Sequence, residues 1–472
     1  MHHLTLAGLI YGIMDWHPQD LEVPVEPVID SRDADEGSVF FAFEGEHVDG
    51  HDYVGDAFSR GAVAAVIERE VPVAAQVLDI GAGVPEGSLE TPLLIRVPDV
   101  LEAMQAAARW WRRQLGVRVV GVTGSVGKTT TKEMVAQVLA ERYKVVRSRG
   151  SYNNEIGLPL TLLQLDGSHE RVVLEMGMYV RGDIRFLANI ARPDVGIVTN
   201  VEPVHAERAG TIQQIALAKR ELVEALPPAP EGVAILNYDD ARVRSMAEHT
   251  AARVLFYGRT PEADLWADGV TGLGLAGVRA RLHHGQDAVM VDVPLLGRHS
   301  IYPILRAAAA GLVEEVSWSG IVRRLEGIED PLRLVARKGR RGTLILDDTY
   351  NSSPPSALAA LDLLHDLEGR KIAVLGDMLE LGDYEEQGHL RVGRRAAEVA
   401  DELFIVGKLG ELIGVGAEEQ GMAPERIHAA SDSEAASELL APLLRSGDVV
   451  LVKGSRGVRM ERIVQELVES ES

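Results

Sequence analysis

The sequence predicts an α/β protein of three domains: a small α/β N-terminal domain, a central doubly wound domain and a C-terminal Rossmann-like α/β domain. Three observations carry this expectation. The chain has 472 residues, too many for one ordinary domain and suited to roughly three of 100–200 residues. Two long blocks alternate strand-like apolar runs with helical spacing, which argues for parallel sheets covered by helices on both faces. A Gly-rich turn joins the first buried run of the central block to a helix. The expected domains are 1–115, 116–328 and 329–472.

The first block mixes short elements broken by Pro and Gly. Ser38–Phe43 and Ala62–Ile67 read as strands, Glu44–His51 as a turn-rich loop, and Tyr53–Arg60 as a helix. In the central block, strands are expected at Val117–Val122, Arg171–Leu174, Val195–Thr199 and Val233–Leu236. Helices are expected at Thr130–Glu141 and Thr211–Leu226. Residues 264–293 read as short strands with Gly turns, a small β appendage. The third block predicts strands at Thr343–Leu346, Ile372–Leu375, Leu403–Val406 and Val449–Val452. Its helices are expected at Ser356–Leu367, Glu385–Val399, Ser433–Leu444 and Val458–Val468. Glu326–Pro331 is the expected linker and hinge.

Composition narrows the function. The 48 Lys and Arg against 71 Asp and Glu give a formal charge of −23, a poor match for nucleic acid. An anionic substrate must therefore be held by local donors against the overall field. The absence of cysteine excludes a disulfide framework, thiolate metal ligands and a thiol nucleophile. The apolar run Leu4–Met14 has no preceding Lys or Arg and no small-residue cleavage pattern, so no signal peptide is expected. No apolar stretch is long enough to span a bilayer, so no membrane insertion is expected.

The turn reads Gly121-Val-Thr-Gly-Ser-Val-Gly127-Lys128-Thr129-Thr130. Gly124 and Gly127 allow a tight turn in which successive N–H groups converge on phosphate oxygens. Lys128 is placed to reach the β- and γ-phosphates, and the Thr129 hydroxyl to reach Mg²⁺. Val122 stands where the general phosphate-loop pattern has Gly. The central block is thus expected to be a P-loop nucleotide-binding domain, with motor, kinase, GTPase-like switch and ligase all open at this point.

Other candidates are less specific. Glu175 ends a strand, where sheets of this type face their ligand, and a carboxylate there suits Mg²⁺. His205 leaves the strand edge in Asn200-Val-Glu-Pro-Val-His, although a lone His is more often structural. Lys219 sits in a charged helix turn and reads as solvated. Asn237 ends another strand, either as an adenine contact or as a turn former.

As an ordered set, these motifs resemble the Mur ligase family. Thr123–Thr129 resembles its ATP loop. Asn153-Asn-Glu-Ile-Gly157, Leu174-Glu-Met-Gly177, Asn200–His205 and Ala218-Lys-Arg-Glu221 resemble the segments that follow. In the third block, Leu346–Pro354, Leu375–Gly382, Val452–Arg456 and Met460-Glu461 are most similar to the branch that adds D-alanyl-D-alanine. Asp30-Ser-Arg32 and Asp49-Gly-His51 resemble the part that holds the UDP-sugar. Gly297–Pro303 resembles a family segment in which Asn is common where Ser300 and Pro303 stand.

The resemblance implies an ATP-dependent carboxylate–amine ligase of peptidoglycan precursor synthesis. Its expected substrates are UDP-N-acetylmuramoyl-tripeptide and D-alanyl-D-alanine, and its expected setting is cytoplasmic, as a monomer. The implied catalytic residues are Lys128, Glu175, His205 and Lys219. ATP is assigned to Thr123, Gly124, Ser125, Val126, Gly127, Lys128, Thr129, Thr130, Asn237, His299, Asp348, Tyr350 and Asn351. Mg²⁺ is assigned to Thr129, Glu175, His205 and Lys219, with Lys219 carbamylated. Substrate is assigned to Ser31, Arg32, Asp49, His51, Asn153, Asn154, Lys453 and Arg456. Another amide ligase of the superfamily, of folylpolyglutamate or cyanophycin type, and a non-catalytic nucleotide-binding relative stay open as alternatives.

Overall fold

The computed structural model describes residues 3–45, 47–85, 87–204, 206–328 and 334–469. His205 and part of the expected hinge, residues 329–331, lie outside these. Three sheets organise the chain, in sequence order.

The first sheet is all parallel. Its strands run in the order Glu26–Val28, Ser38–Phe41, Ala64–Ile67, Leu93–Arg96 and Gln76–Asp79. The apolar run near the N-terminus is a helix, Leu6–Met14, capped by the Thr5 hydroxyl, which accepts from Gly8 N–H at 3.0 Å. It packs on the helix Val100–Gln114, whose first turn is closed by Asp99 accepting from Glu102 N–H at 2.8 Å. Such a cap contributes about 1 kcal/mol. The long helix also ties the first unit to the second. Trp111 Nε1 donates to Leu165 O at 2.9 Å, Arg112 Nε to Ala191 O at 2.8 Å, and Gln105 Nε2 to Glu155 O at 3.1 Å. One apolar core runs through both units, from Phe41 and Trp111 to Leu158 and Leu187.

The central sheet has nine strands. Arg118–Thr123 lies between Arg171–Glu175 and Val195–Val198, all parallel. Successive connections from Arg118–Thr123 go first to one side and then to the other, which opens a crevice at its carboxyl end. Parallel pairing continues through Val233–Asn237 and Arg253–Gly258 to Leu265–Gly272. There the sheet turns antiparallel, adding Val278–His284 and Asp287–Val293. The expected β appendage is therefore corrected: residues 265–293 extend the central sheet itself. Their alternating buried and exposed residues, as in Val278–His284, are those of an antiparallel strand with one wet face. The helix after the Gly-rich turn starts at Lys128, two residues earlier than expected.

The third sheet is parallel apart from one edge. Its order is Val335–Gly339, Thr343–Asp348, Val449–Lys453, Lys371–Gly376, Glu402–Val406 and Ile427–Ala430. Only the first pairs antiparallel, with its neighbour Thr343–Asp348. The expected final helix is shorter, Glu461–Leu467, after a single 3₁₀ turn at Arg456–Val458. The helix expected at Ser433–Leu444 ends at Leu440 and tightens into a 3₁₀ turn that contains Pro442.

Candidate active site

The Gly-rich turn is shaped by sterics. At Gly124, with φ of 145°, a Cβ would stand 1.8 Å from Thr199 Oγ1, so no side chain fits. Gly127 has φ of 83°, in the left-handed region that favours glycine. The neighbouring segment 199–202 braces the turn. Val126 N–H donates to Asn200 Oδ1 at 2.9 Å, and Thr199 Oγ1 donates to Val126 O at 2.7 Å. Ser125 Oγ donates to Glu202 O at 2.8 Å. Lys128 Nζ folds back onto the carbonyls of Gly124, at 3.0 Å, and Ser125, at 3.3 Å. That is a compact loop with its ammonium held over its own backbone.

Glu175 is buried at the end of its strand, opposite Val122 in register. Its Oε2 accepts from Thr129 Oγ1 at 2.8 Å and its Oε1 from Asn153 Nδ2 at 2.8 Å. Two hard oxygen donors thus meet at the foot of the loop, which is the donor type that Mg²⁺ takes. Among the described residues no three His, Asp or Glu side chains form a metal cluster.

Lys219 is 4% exposed. Burial, reinforced by the Lys128 ammonium, pushes its pKa well below that of a free lysine. Among the described residues no carboxylate pairs with it. Lowering a lysine's pKa favours its uncharged, nucleophilic form, the form that takes up CO₂. The reading of Lys219 as a solvated surface lysine is therefore wrong, because its helix turn faces inward.

Two cavities meet at the loop. One, of about 1120 Å³, lies between the carboxyl ends of the second and third sheets. Its central wall includes Ser125, Val126, Gly127, Lys128, Thr130, Asn153, Glu175 and Asn237. Its other wall includes His299, Asp348, Tyr350, Asn351, Lys453 and Arg456. The second, of about 630 Å³, runs from Gly124 and Lys128 past Asn153, Asn154 and Lys219 to Asp99 and Gln105 of the long helix. Thr123, which is buried, and Thr129, which is half-buried, line neither cavity. The Thr123 hydroxyl donates to Met176 O at 2.9 Å.

The third unit brings its own charges. Asp348 and Lys453 are register partners on adjacent parallel strands and form an ion pair at 2.7 Å. Lys453 Nζ also donates to Asn351 O at 2.8 Å. The two units touch where Tyr350 Oη donates to Ser151 Oγ at 3.2 Å. Asn237 makes turn-forming bonds, Nδ2 donating to Thr199 O at 3.0 Å and Oδ1 accepting from Asp239 N–H at 3.1 Å, and it also lines the larger cavity.

The N-terminal candidates stand apart. Ser31, Arg32, Asp49 and His51 line neither cavity. Arg32 is exposed and pairs with Asp30 at 2.6 Å, which holds the Asp30 carboxyl down to about 2. Ser31 is buried in the single turn capped by Asp30. His51 is buried, and both ring nitrogens are engaged: Nε2 accepts from Glu68 N–H at 2.9 Å, and Nδ1 faces Asp49 Oδ1 at 2.7 Å. The first bond makes Nδ1 the protonated nitrogen. Burial alone would raise the Asp49 carboxyl, but bonds from Arg69 and His51 hold it below the usual range.

Sequence reasoning missed Arg306. It is 3% exposed and lines the larger cavity behind the Gly-rich turn. A lone charge in Ile304-Leu-Arg-Ala-Ala-Ala-Ala310 was the available signal.

Comparison with known proteins agrees with this architecture along the whole chain. The Mur ligase family catalytic domain matches residues 28–112, the Mur ligase middle domain 122–311 and the Mur ligase glutamate ligase domain 332–456. The UDP-N-acetylmuramoyl-tripeptide–D-alanyl-D-alanine ligase of Bacillus subtilis (strain 168) is 34% identical over 471 residues, 99% of this chain and 98% of that protein. The crystal structure of MurF from Acinetobacter baumannii aligns with a TM-score of 0.84 at 28% identity, covering 99% of both chains. MurF ligase from Thermotoga maritima, in complex with ADP, aligns with a TM-score of 0.78 at 28% identity, covering 94% of this chain and 96% of that one. With three family domains in order on one chain and a full-length relative at that identity, this chain belongs to the Mur ligase family.

Proposed function

We propose that this chain joins D-alanyl-D-alanine to UDP-N-acetylmuramoyl-tripeptide, using ATP, in peptidoglycan precursor synthesis. The observation that carries this reading is the larger cavity. It puts the Gly-rich turn and Glu175 on one wall and Asp348, Lys453 and Arg456 on the other. The relatives that match over their whole length carry the name of this activity.

The chemistry follows from the reactants. A carboxylate does not condense with an amine in water, because it is a poor electrophile. Its oxygen attacks the γ-phosphorus of ATP, forming a C–O–P linkage as ADP leaves. The dipeptide amine then attacks the acyl carbon, loses a proton and expels phosphate. The first step brings anions together. Lys128 and the N–H groups of the turn supply the compensating charge.

Thr129 and Glu175, with His205 and a carbamylated Lys219, are the residues that would hold Mg²⁺. Bound there, it would neutralise phosphate charge. Carbamylation turns the buried amine of Lys219 into an oxygen anion, the ligand type a hard cation needs. Asn153 orients the Glu175 carboxylate. Closure of the third unit onto the second, through contacts such as Tyr350 to Ser151, excludes water from the activated acid.

The UDP-sugar is assigned to the first unit, with Arg32 as its exposed cation. The proposed domains, 1–115, 116–328 and 329–472, are supported by each holding one of the three sheets. No helix among the described residues is long and apolar enough to cross a membrane, and a cytoplasmic monomer is the working assignment.

A screen of substrate pairs tests the reading, with phosphate release as readout. Release is expected only when UDP-N-acetylmuramoyl-tripeptide and D-alanyl-D-alanine are both present. Equal turnover with a folate or with a single amino acid as acceptor would favour another ligase of the superfamily.

A further inference from the structure

One charge on the central apolar core has no counter-ion among the described residues. The helix Ile301–Val313 is buried along residues 303–311, and Arg306 is the one charged residue within that stretch. Its guanidinium lies directly behind the Gly-rich turn. A Cβ built on Gly127 would stand 3.1 Å from Arg306 Nη2. Nη1 donates to the Tyr257 hydroxyl at 3.3 Å. Nε is buried with no hydrogen-bond partner among the described residues, and no carboxylate among them pairs with the side chain.

The guanidinium carbon also lies 5.7 Å from the Tyr257 ring centroid, and a neutral phenol offers a buried cation less than a carboxylate would. Leaving a charge without its partner in the interior is strongly unfavourable, so such a group is expected to meet an anion. The neighbouring side chains on this wall do not compete for that anion. Ser300 Oγ donates to Leu296 O at 2.8 Å. Tyr302 Oη donates to Asp239 Oδ2 at 3.1 Å. Pro303 has no donor. All of them line the larger cavity together with Arg306, Gly127 and Lys128.

We infer that Arg306 is a second cation for the phosphate chain of the bound nucleotide, reaching it from behind Gly127 while Lys128 reaches it from the loop. The inference rests on the ATP reading above. Arg306 suits the task because the donors of a guanidinium form a planar fork that matches phosphate. A charge seated in a dry wall also acts more strongly than one in solvent.

The test is ADP binding by calorimetry on the full-length protein. Arg306→Met should weaken ADP binding by at least ~10-fold, the scale of a lost charge-assisted bond. The ATP-to-GTP preference should stay unchanged, since the contact is to phosphate. Without ligand, Arg306→Met should melt no lower than the parent protein, because it removes an uncompensated charge. Tyr257→Phe, which keeps the guanidinium, should hold ADP affinity within about twofold. Should Arg306→Met fail to fold, Arg306→Lys carries the test with a smaller loss, and its unchanged affinity would overturn the inference. Unchanged ADP affinity in Arg306→Met, or an equal loss in Tyr257→Phe, also overturns it. Absence of ADP binding by the parent protein would instead overturn the nucleotide reading on which it rests.

Discussion

The Thr129 hydroxyl donates a 2.8 Å hydrogen bond to the Glu175 carboxylate, joining the first turn of one helix to the end of the neighbouring strand. Register explains the meeting. Val122 sits opposite Glu175 on the adjacent parallel strand, and Thr129 follows Val122 by seven positions, as the second residue of the helix that starts at Lys128. A hydroxyl and a carboxylate so placed are ready to share a cation.

Glu175→Gln tests this directly. The amide keeps the shape and can still meet Thr129 and Asn153, so the fold should persist. The Mg²⁺ concentration for half-maximal activity should rise by at least ~10-fold. A magnesium titration with unaltered midpoint would remove Glu175 from the metal site.

Lys219 gives a chemical test. Lys219→Ala should abolish most turnover, and short-chain carboxylates in the buffer should restore part of it by standing in for the carbamate. Depleting CO₂ should slow the parent protein but not the rescued variant. Full activity of Lys219→Ala without additives would contradict the assignment.

His51 separates a structural role from a binding role. Its Nε2 satisfies the Glu68 N–H. His51→Phe removes the acceptor of that N–H and the bond to Asp49, at about 0.5–1.5 kcal/mol per hydrogen bond lost. The urea midpoint should fall while affinity for the UDP-sugar substrate stays nearly constant. A variant with normal stability and lost substrate affinity would make His51 a ligand-binding residue after all.

How much of this could be read from residues follows from how local each feature is. Gly124 and Gly127 were legible because backbone geometry there admits nothing larger, and sequence spacing alone reports it. Glu175 was legible as a strand end. Lys219 was not: its neighbours Arg220 and Glu221 suggest solvent, and only tertiary packing buries the amine. Its importance came from the family resemblance. The hairpins at 265–293 looked detached because Gly turns break them, whereas edge pairing with Arg253–Gly258 joins them to the sheet. Asp348 and Lys453 stand about a hundred residues apart, and strand order brings them together. Such a pairing has no local signature.

The most direct measurement follows oxygen. UDP-N-acetylmuramoyl-tripeptide labelled with ¹⁸O in both oxygens of its terminal carboxylate is turned over with ATP and D-alanyl-D-alanine. If that carboxylate attacks the γ-phosphorus, each phosphate released carries one ¹⁸O. Unlabelled phosphate at full turnover would show that nucleotide cleavage does not activate the acid.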